Sequence, residues 1–394
     1  MKKVTLYSGL LLLGLFGSQF LPMVFPESFS KLSSLIKVMT MFCLAFIMIH
    51  VGLEFEIDKS NVRQYGWDYF VAATAAAFPW ILCAIYFIFV MTPSEGWFDF
   101  DAWKQSLLVS RFSAPTSAGV LFSMLAAAGL ASTWVFKKAR ILAIFDDLDT
   151  ILLMIPLKIL MVGLKWQLGL IVIFIFILLY IAWKYLHVFK LPTSWKWILI
   201  YSGVITFICE IIYIASKMVD ELVPIHLEVL LPAFVMGCVL AHGPNPHDSK
   251  IEEKISNGMT GLFMVLVGLA MPLIATGTTT SLPTTALVAI GGSWPGWPTI
   301  IMHVLVITLI SNIGKMFSLL CYRKEVSLKE RLALSIAMFP RGEVGAGVLV
   351  VSLSYGIGGP AVTVALLSLA LNLVMTGMFI AVVKKLISQR HYQN

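Results

Sequence analysis

The sequence predicts an all-α polytopic membrane protein of about twelve transmembrane helices, built as an inverted repeat in which two helices are broken. Three observations carry this prediction. Of the 394 residues, 59% are hydrophobic and 12% charged, where a soluble domain carries about 25% charged residues. Apolar runs long enough to cross a bilayer as a helix recur along the whole chain. Two of these runs are interrupted near their middles by a proline among polar residues. They are Arg111-Phe112-Ser113-Ala114-Pro115-Thr116-Ser117 and Met338-Phe339-Pro340-Arg341-Gly342-Glu343-Val344-Gly345. Alternating ten-residue strand patterns are absent, which argues against a barrel.

The predicted spans are 4–24, 33–53, 67–91, 103–131, 139–163, 166–187, 195–218, 225–242, 255–276, 297–322, 329–352 and 360–383. The first follows Met1-Lys2-Lys3 and lacks a small-residue cleavage site, so it reads as a span rather than a signal peptide. The stretch 277–296 is uncharged and reads as a re-entrant or surface piece. Counting loops alternately from an inside N-terminus puts nineteen Lys and Arg residues inside and five outside. That bias supports twelve spans with both termini cytoplasmic, in the inner membrane. The net charge of +7 is spread over loops rather than gathered on one face, which excludes a nucleic-acid partner. The five cysteines lie singly in or beside apolar spans and read as small buried hydrophobes.

Four basic residues remain, and all fall inside spans: Arg111, Lys158, Lys315 and Arg341. The acids that read as buried are Glu210, Glu343 and the cluster Asp146-Asp147-Leu148-Asp149-Thr150. Each carboxylate of that cluster opposes insertion by roughly 2.5–3.5 kcal/mol. Such a cluster persists only where it faces protein, water or a bound cation, so it is the candidate cation or proton site. Proline removes a backbone donor and breaks the helix. Paired breaks at Pro115 and Pro340 point to an inverted-repeat transporter with its ion site near the midplane.

Depth links these features. Asp146 and Asp147 lie about 6–8 Å to the cytoplasmic side of their span's middle, and Lys315 about 8 Å to the same side of its own. A lysine at that depth keeps its charge beside a carboxylate. Asp146 and Asp147 point about 100° apart, so one can pair with Lys315 while the other faces the ion path. Thr150 follows Asp147 by three residues and can offer a hydroxyl oxygen. Lys158 reads as a stem reaching the outer face, and Glu210 as a dimer-interface or secondary polar site. His303 reads as a satisfied core histidine.

Several short motifs now resemble a family. They are His50-Val51-Gly52-Leu53-Glu54-Phe55, Leu231-Pro232-Ala233-Phe234-Val235-Met236-Gly237, Gly261-Leu262-Phe263 and Val267-Gly268-Leu269. More specific is the combination of Asp146-Asp147, Gly314-Lys315 and Pro340-Arg341-Gly342-Glu343-Val344. Together they resemble the bacterial monovalent cation–proton antiporters, in the electrogenic Na+/H+ branch with the Asp-Asp motif. The resemblance spans nearly the whole chain. It implies that Asp147 binds the cation, that Asp146 pairs with Lys315, and that the broken helices cross beside them around Pro115, Thr116 and Pro340. It also implies a homodimer whose core moves against a dimerisation part. Within the single transmembrane domain 1–394, the core is expected at 67–163 and 297–387 and the scaffold at 1–60 and 166–276.

The expected function is secondary exchange of protons for a monovalent cation, Na+ foremost with Li+ or K+ as alternatives, and no cofactor. Asp147 would take either a proton or a dehydrated cation, the latter with oxygens from Thr116, Ser113 and freed backbone carbonyls. Asp149, Thr150, Arg341 and Glu343 are candidate supporting residues. This sequence departs from the family in its first break, which lacks an acid, in its third carboxylate, Asp149, and in reading as one helix short of many relatives near the N-terminus. The chain stops at Asn394 without a nucleotide-binding domain, which argues against a long ligand-gated potassium efflux system. Two other readings stand beside antiport. One is a Na+-coupled symporter for an organic anion, for which Arg111 and Arg341 would supply positive charge. The other is a cation channel or sensor.

Overall fold

In a computed structural model the twelve apolar segments become fourteen α-helices among the described residues, because each of the two proline-interrupted segments forms two half-helices. The structure describes residues 2–25, 29–55, 62–220, 229–241, 249–271, 288–289, 296–355 and 357–388. Most of the stretch 277–296 therefore lies outside the described residues, as does the side chain of Glu343. Among the described residues, seven helical stretches are long and apolar enough to span a membrane, Lys2–Val24 and Pro360–Ser388 among them. The chain is thus an all-α, multi-pass membrane protein.

The half-helices follow from length and capping. In chain order they are α4 (Phe100–Ser110), α5 (Ala118–Ala127), α12 (Leu328–Ala337) and α13 (Glu343–Ser354). Each has 10 to 12 residues, about 15–18 Å, or half of a 30 Å hydrocarbon layer. α4 begins on an Asp99 cap whose carboxylate accepts from the amides of Asp101 and Ala102. α12 begins on a Ser327–Glu330 capping box. The inner ends of both meet the breaks at 114–117 and 338–342. Non-helical backbone at membrane depth needs partners inside the protein, and residues 111–120 are all buried.

The helices cluster into two compact units. The first holds α1 (Lys2–Val24), α3 (Val62–Tyr86), the four half-helices, most of α6 (Trp134–Val162), α11 (Trp297–Lys315) and α14 (Pro360–Ser388). It takes in α1, which the sequence reading sets with the scaffold. A parallel pairing of β1 (Val288–Ala289) with β2 (Ile357–Gly358) also belongs to it. In this unit α11 meets α3 where Gly314 lies against Pro79, so the residue before Lys315 has no room for a side chain.

The second unit holds α2 (Phe29–Leu53), α7 (Trp166–Lys184), α8 (Trp195–Val219), α9 (Leu230–Val239) and most of α10 (Ser249–Leu269). Its α2 and α9 touch backbone to backbone. A side chain at Gly237 would overlap the carbonyl of Ile49 and the Cα of Gly52, and one at Gly52 would overlap Phe234. The ring nitrogens of His187 face the main-chain oxygens of Leu240 and Phe55, at 2.8 and 3.1 Å. All five cysteines are free and buried.

These contacts give a paired test. Gly237→Ala is expected to destabilise by about 1–3 kcal/mol through overpacking and to lower the thermal midpoint in detergent. Gly9→Ala in α1, where a Cβ meets nothing within 4 Å, is expected to hold or raise it by up to about 1 kcal/mol through helix propensity. Equal midpoints for the two variants would contradict the close α2–α9 packing.

Candidate functional site

The site grows from α6. Its 29 residues carry Asp146, Asp147, Asp149 and Thr150, and all four are buried inside the first unit. Lys315 ends α11 and exposes no surface. Its Nζ lies 2.8 Å from Asp146 Oδ2, and neither side chain of the pair reaches solvent. A cation in the last turn of a helix also meets the negative end of the helix dipole.

Asp146 does a second job with the same oxygen. Oδ2 accepts the amide of Thr116 at 2.8 Å, just before α5 begins. A negative charge at a helix N-terminus is favourable, so Asp146 occupies the place where the first break lacks an acid of its own. The two breaks touch here. Thr116 Oγ1 donates to Met338 O at 3.1 Å, and the Ser117 amide donates to Pro340 O at 2.9 Å.

Arg341 supplies the opposite charge. It is fully buried. Nε donates to Ser113 O at 2.8 Å, Nη2 to Ser311 O at 2.8 Å, and Nη1 to Asn312 Oδ1 at 2.7 Å and Phe339 O at 3.2 Å. Ser113 and Phe339 end the inner turns of the half-helices that start at Phe100 and Leu328. Their carbonyls are the orphan acceptors of helix C-termini. The guanidinium therefore binds both inner C-termini, together with α11, one turn before Lys315.

The other expected residues are placed as follows. Asp147 is 1% exposed and follows Asp146 on the helix. Ser113 Oγ donates to Ser110 O at 2.8 Å, and Thr150 Oγ1 donates to Asp146 O at 2.9 Å. Each hydroxyl proton is spent on helix backbone, while the oxygens keep lone pairs. Pro115 and Pro340 sit in the two non-helical crossings. Asp149 Oδ1 accepts from Tyr69 OH at 2.7 Å. Arg111 donates from Nη2 to Asp149 O at 3.0 Å and lies 4.8 Å over the Trp80 ring. His303 is satisfied by Tyr86 OH at 2.8 Å.

A family model described as sodium/hydrogen exchanger, transmembrane, matches residues 2–386. The chain belongs to the sodium/hydrogen exchanger family. As a sodium/hydrogen exchanger it is a transporter and not an enzyme, and cation–proton antiport is its activity. Its fold is similar to that of the sodium–proton antiporter MjNhaP1 of Methanocaldococcus jannaschii, solved at pH 8. The identity is 15% and the TM-score 0.54, over 95% of this chain and 91% of that one. Comparison with the curated proteins gives no match.

The exchanger also holds a second buried charge cluster that the sequence reading passes over. Asp68 on α3 is 1% exposed and accepts from Lys138 Nζ at 3.1 Å through each oxygen and from Tyr322 OH at 2.7 Å. Glu325 lies 3.6 Å from the same ammonium, which sits 4.7 Å over the Tyr322 ring. Lys138 precedes Asp146 by eight residues on α6, about 12 Å. The cluster thus ties α3, α6 and the turn after α11 together. Asp68, an aspartate inside the predicted span 67–91, was the available signal.

The Lys315–Asp146 pair makes a stability prediction. Asp146→Asn leaves a buried ammonium without its counter-ion and is expected to destabilise by about 3–5 kcal/mol. Adding Lys315→Gln removes the orphaned charge and is expected to recover most of the lost thermal midpoint. Additive losses in the double variant would mean that the two groups do not interact.

Proposed function

We propose that this exchanger moves protons against Na+, with Li+ or K+ as lesser substrates, by alternating access at Asp147 beside the Asp146–Lys315 pair. The observation that carries the reading is the 2.8 Å pair at the point where the two breaks hydrogen-bond to one another. A cation held by Asp147 would take its further oxygens from Thr116 Oγ1, Ser113 Oγ and main-chain carbonyls of the breaks. Hard monovalent cations favour such oxygens once dehydrated, and unwound segments are where carriers coordinate them. A proton and a cation then compete for Asp147. With a cation bound the site crosses in one direction, and with Asp147 protonated it returns.

Asp146 and Lys315 add the electrical term. When a cation draws Asp146 toward itself, the pair with Lys315 opens, and Lys315 or Asp146 exchanges a second proton. The cycle then moves net charge. The first unit is the moving core and the second the scaffold through which a homodimer forms. The two halves of the core are inverted repeats, each contributing one broken helix. The membrane is the bacterial inner membrane, with both termini cytoplasmic. The Arg341 donors are committed to carbonyls and to Asn312, which takes away one of the two arginines an organic-anion site would draw on.

Reconstituted protein tests this directly. Asp147→Asn is expected to abolish Na+-driven proton movement in proteoliposomes while the protein stays folded; full exchange by that variant would overturn the site. Lys315→Gln is expected to keep exchange measurable but to lose its response to an imposed membrane potential. In the wild type, the KM for Na+ should rise as the pH falls, by up to tenfold per pH unit where the proton and the cation compete for one carboxylate. A KM independent of pH speaks against competition at a shared group.

A further inference from the structure

Three buried acids and three buried bases meet on this part of the first unit: Asp146, Asp147 and Asp149 with Arg111, Lys315 and Arg341. Two of the bases are accounted for. Lys315 pairs with Asp146, and Arg341 binds carbonyls and Asn312. Asp147 is the proposed cargo group. Arg111 and Asp149 are left over, and their unmet needs are complementary.

Arg111 exposes no surface, and its Nε and Nη1 have no hydrogen-bond partner among the described residues. Asp149 is 3% exposed, and its Oδ2 likewise has none. Among the described residues neither forms a direct ion pair, yet Nη2 of Arg111 donates to the main-chain oxygen of Asp149 itself, at 3.0 Å. The guanidinium therefore rests against the residue that carries the spare carboxylate. Both partners are held in place from behind. Trp80 supports the guanidinium face at 4.8 Å and is itself anchored by donating to Leu107 O at 2.7 Å. Tyr69 fixes Asp149 Oδ1 at 2.7 Å and packs edge-on to Phe145.

Helix geometry decides which role Asp149 can play. It stands two residues after Asp147, about 160° around α6, so the two carboxylates face opposite sides and do not share an ion. Arg111 also makes the Asp149 side a poor place for a cation, since like charges repel. We propose that Asp149 is the counter-charge of Arg111, a positioning residue that keeps the buried guanidinium from repelling the transported monovalent cation at Asp147. The third carboxylate is then the partner of an arginine, with no ion of its own. This rests on the reading of Asp147 as the cation-binding group.

The test is a charge cycle in proteoliposomes, read as the KM and turnover of Na+-driven proton movement at one fixed pH. Asp149→Asn leaves Arg111 uncompensated and should raise the KM on the order of tenfold, the effect of a unit charge across about 10 Å at an effective dielectric constant of about 20. Arg111→Gln leaves Asp149 uncompensated and should lower the KM while slowing release. The double variant should return the KM toward the wild-type value. Tyr69→Phe, which removes a hydrogen bond but no charge, should leave the KM in place, whereas a merely structural role for this cluster would move it. If Arg111→Gln does not fold, Asp149→Glu carries the comparison: it restores the charge and should restore the KM that Asp149→Asn loses. An unchanged KM in Asp149→Asn, shifts of the same sign in both single variants, or equal KM values for Asn and Glu at 149 would each overturn the proposal. Asp147→Asn in the same vesicles separates the two ideas. If it is inactive and the cycle fails, the counter-charge proposal alone falls. If it is active, the reading of Asp147 falls and takes the counter-charge role with it.

Discussion

The ammonium of Lys315 and the carboxylate of Asp146 meet at 2.8 Å with neither touching solvent, and the geometry of the first unit depends on that contact. Removing two ions from water costs several kcal/mol each, and attraction alone seldom recovers it. Such a pair endures only where further hydrogen bonds satisfy the remaining oxygens and where neighbouring dipoles help. Both conditions hold. The Thr116 amide adds a donor at 2.8 Å, and Lys315 closes a helix whose C-terminal carbonyls favour a cation. The pair also fixes the height of α11 against α6, helped by the missing side chain at Gly314, which lets α11 settle against Pro79.

The broken helices follow the same logic. A helix interrupted inside a membrane leaves donors at one inner end and acceptors at the other, with no water to meet them. Here the acceptors at Ser113 and Phe339 go to Arg341, and the donor at Thr116 goes to Asp146. The segments also bond to each other through Thr116 and Met338, and Ser117 and Pro340. One buried arginine and one buried aspartate thus hold together a crossing that the two prolines would otherwise leave open.

Much of this was legible in the sequence, for reasons that differ by feature. The spans show because the bilayer demands long apolar runs, and the breaks because Pro115 and Pro340 cannot continue a helix. That Lys315 shares a layer with the acid pair follows from counting residues to equal depth, and that Asp146 is its partner is what the family resemblance implies. Helix rotation was harder to read. Nothing in the local pattern says that Tyr69 faces Asp149 or that Arg111 reaches the carbonyl of the same residue, because those contacts join segments 80 and 38 residues apart. Arg341 could be placed at the break but not on Ser113, Ser311 and Asn312. The Asp68–Lys138–Tyr322 cluster was hidden for a different reason. Lys138 counts as an ordinary inside charge by the loop rule, and only tertiary packing buries it to 5% exposure.

Asp146 receives both of its partners on one oxygen: Oδ2 takes the Lys315 ammonium and the Thr116 amide, while Oδ1 has no hydrogen-bond partner among the described residues. The two attachments are unequal in kind. One is to a mobile side chain that can change its protonation, the other to a backbone fixed at the head of α5. Losing the first leaves the second, so the carboxylate stays anchored to the crossing whatever happens to its charge partner. The hub can therefore switch its electrical state without being remade mechanically, and its second oxygen is free to greet whatever replaces the lysine.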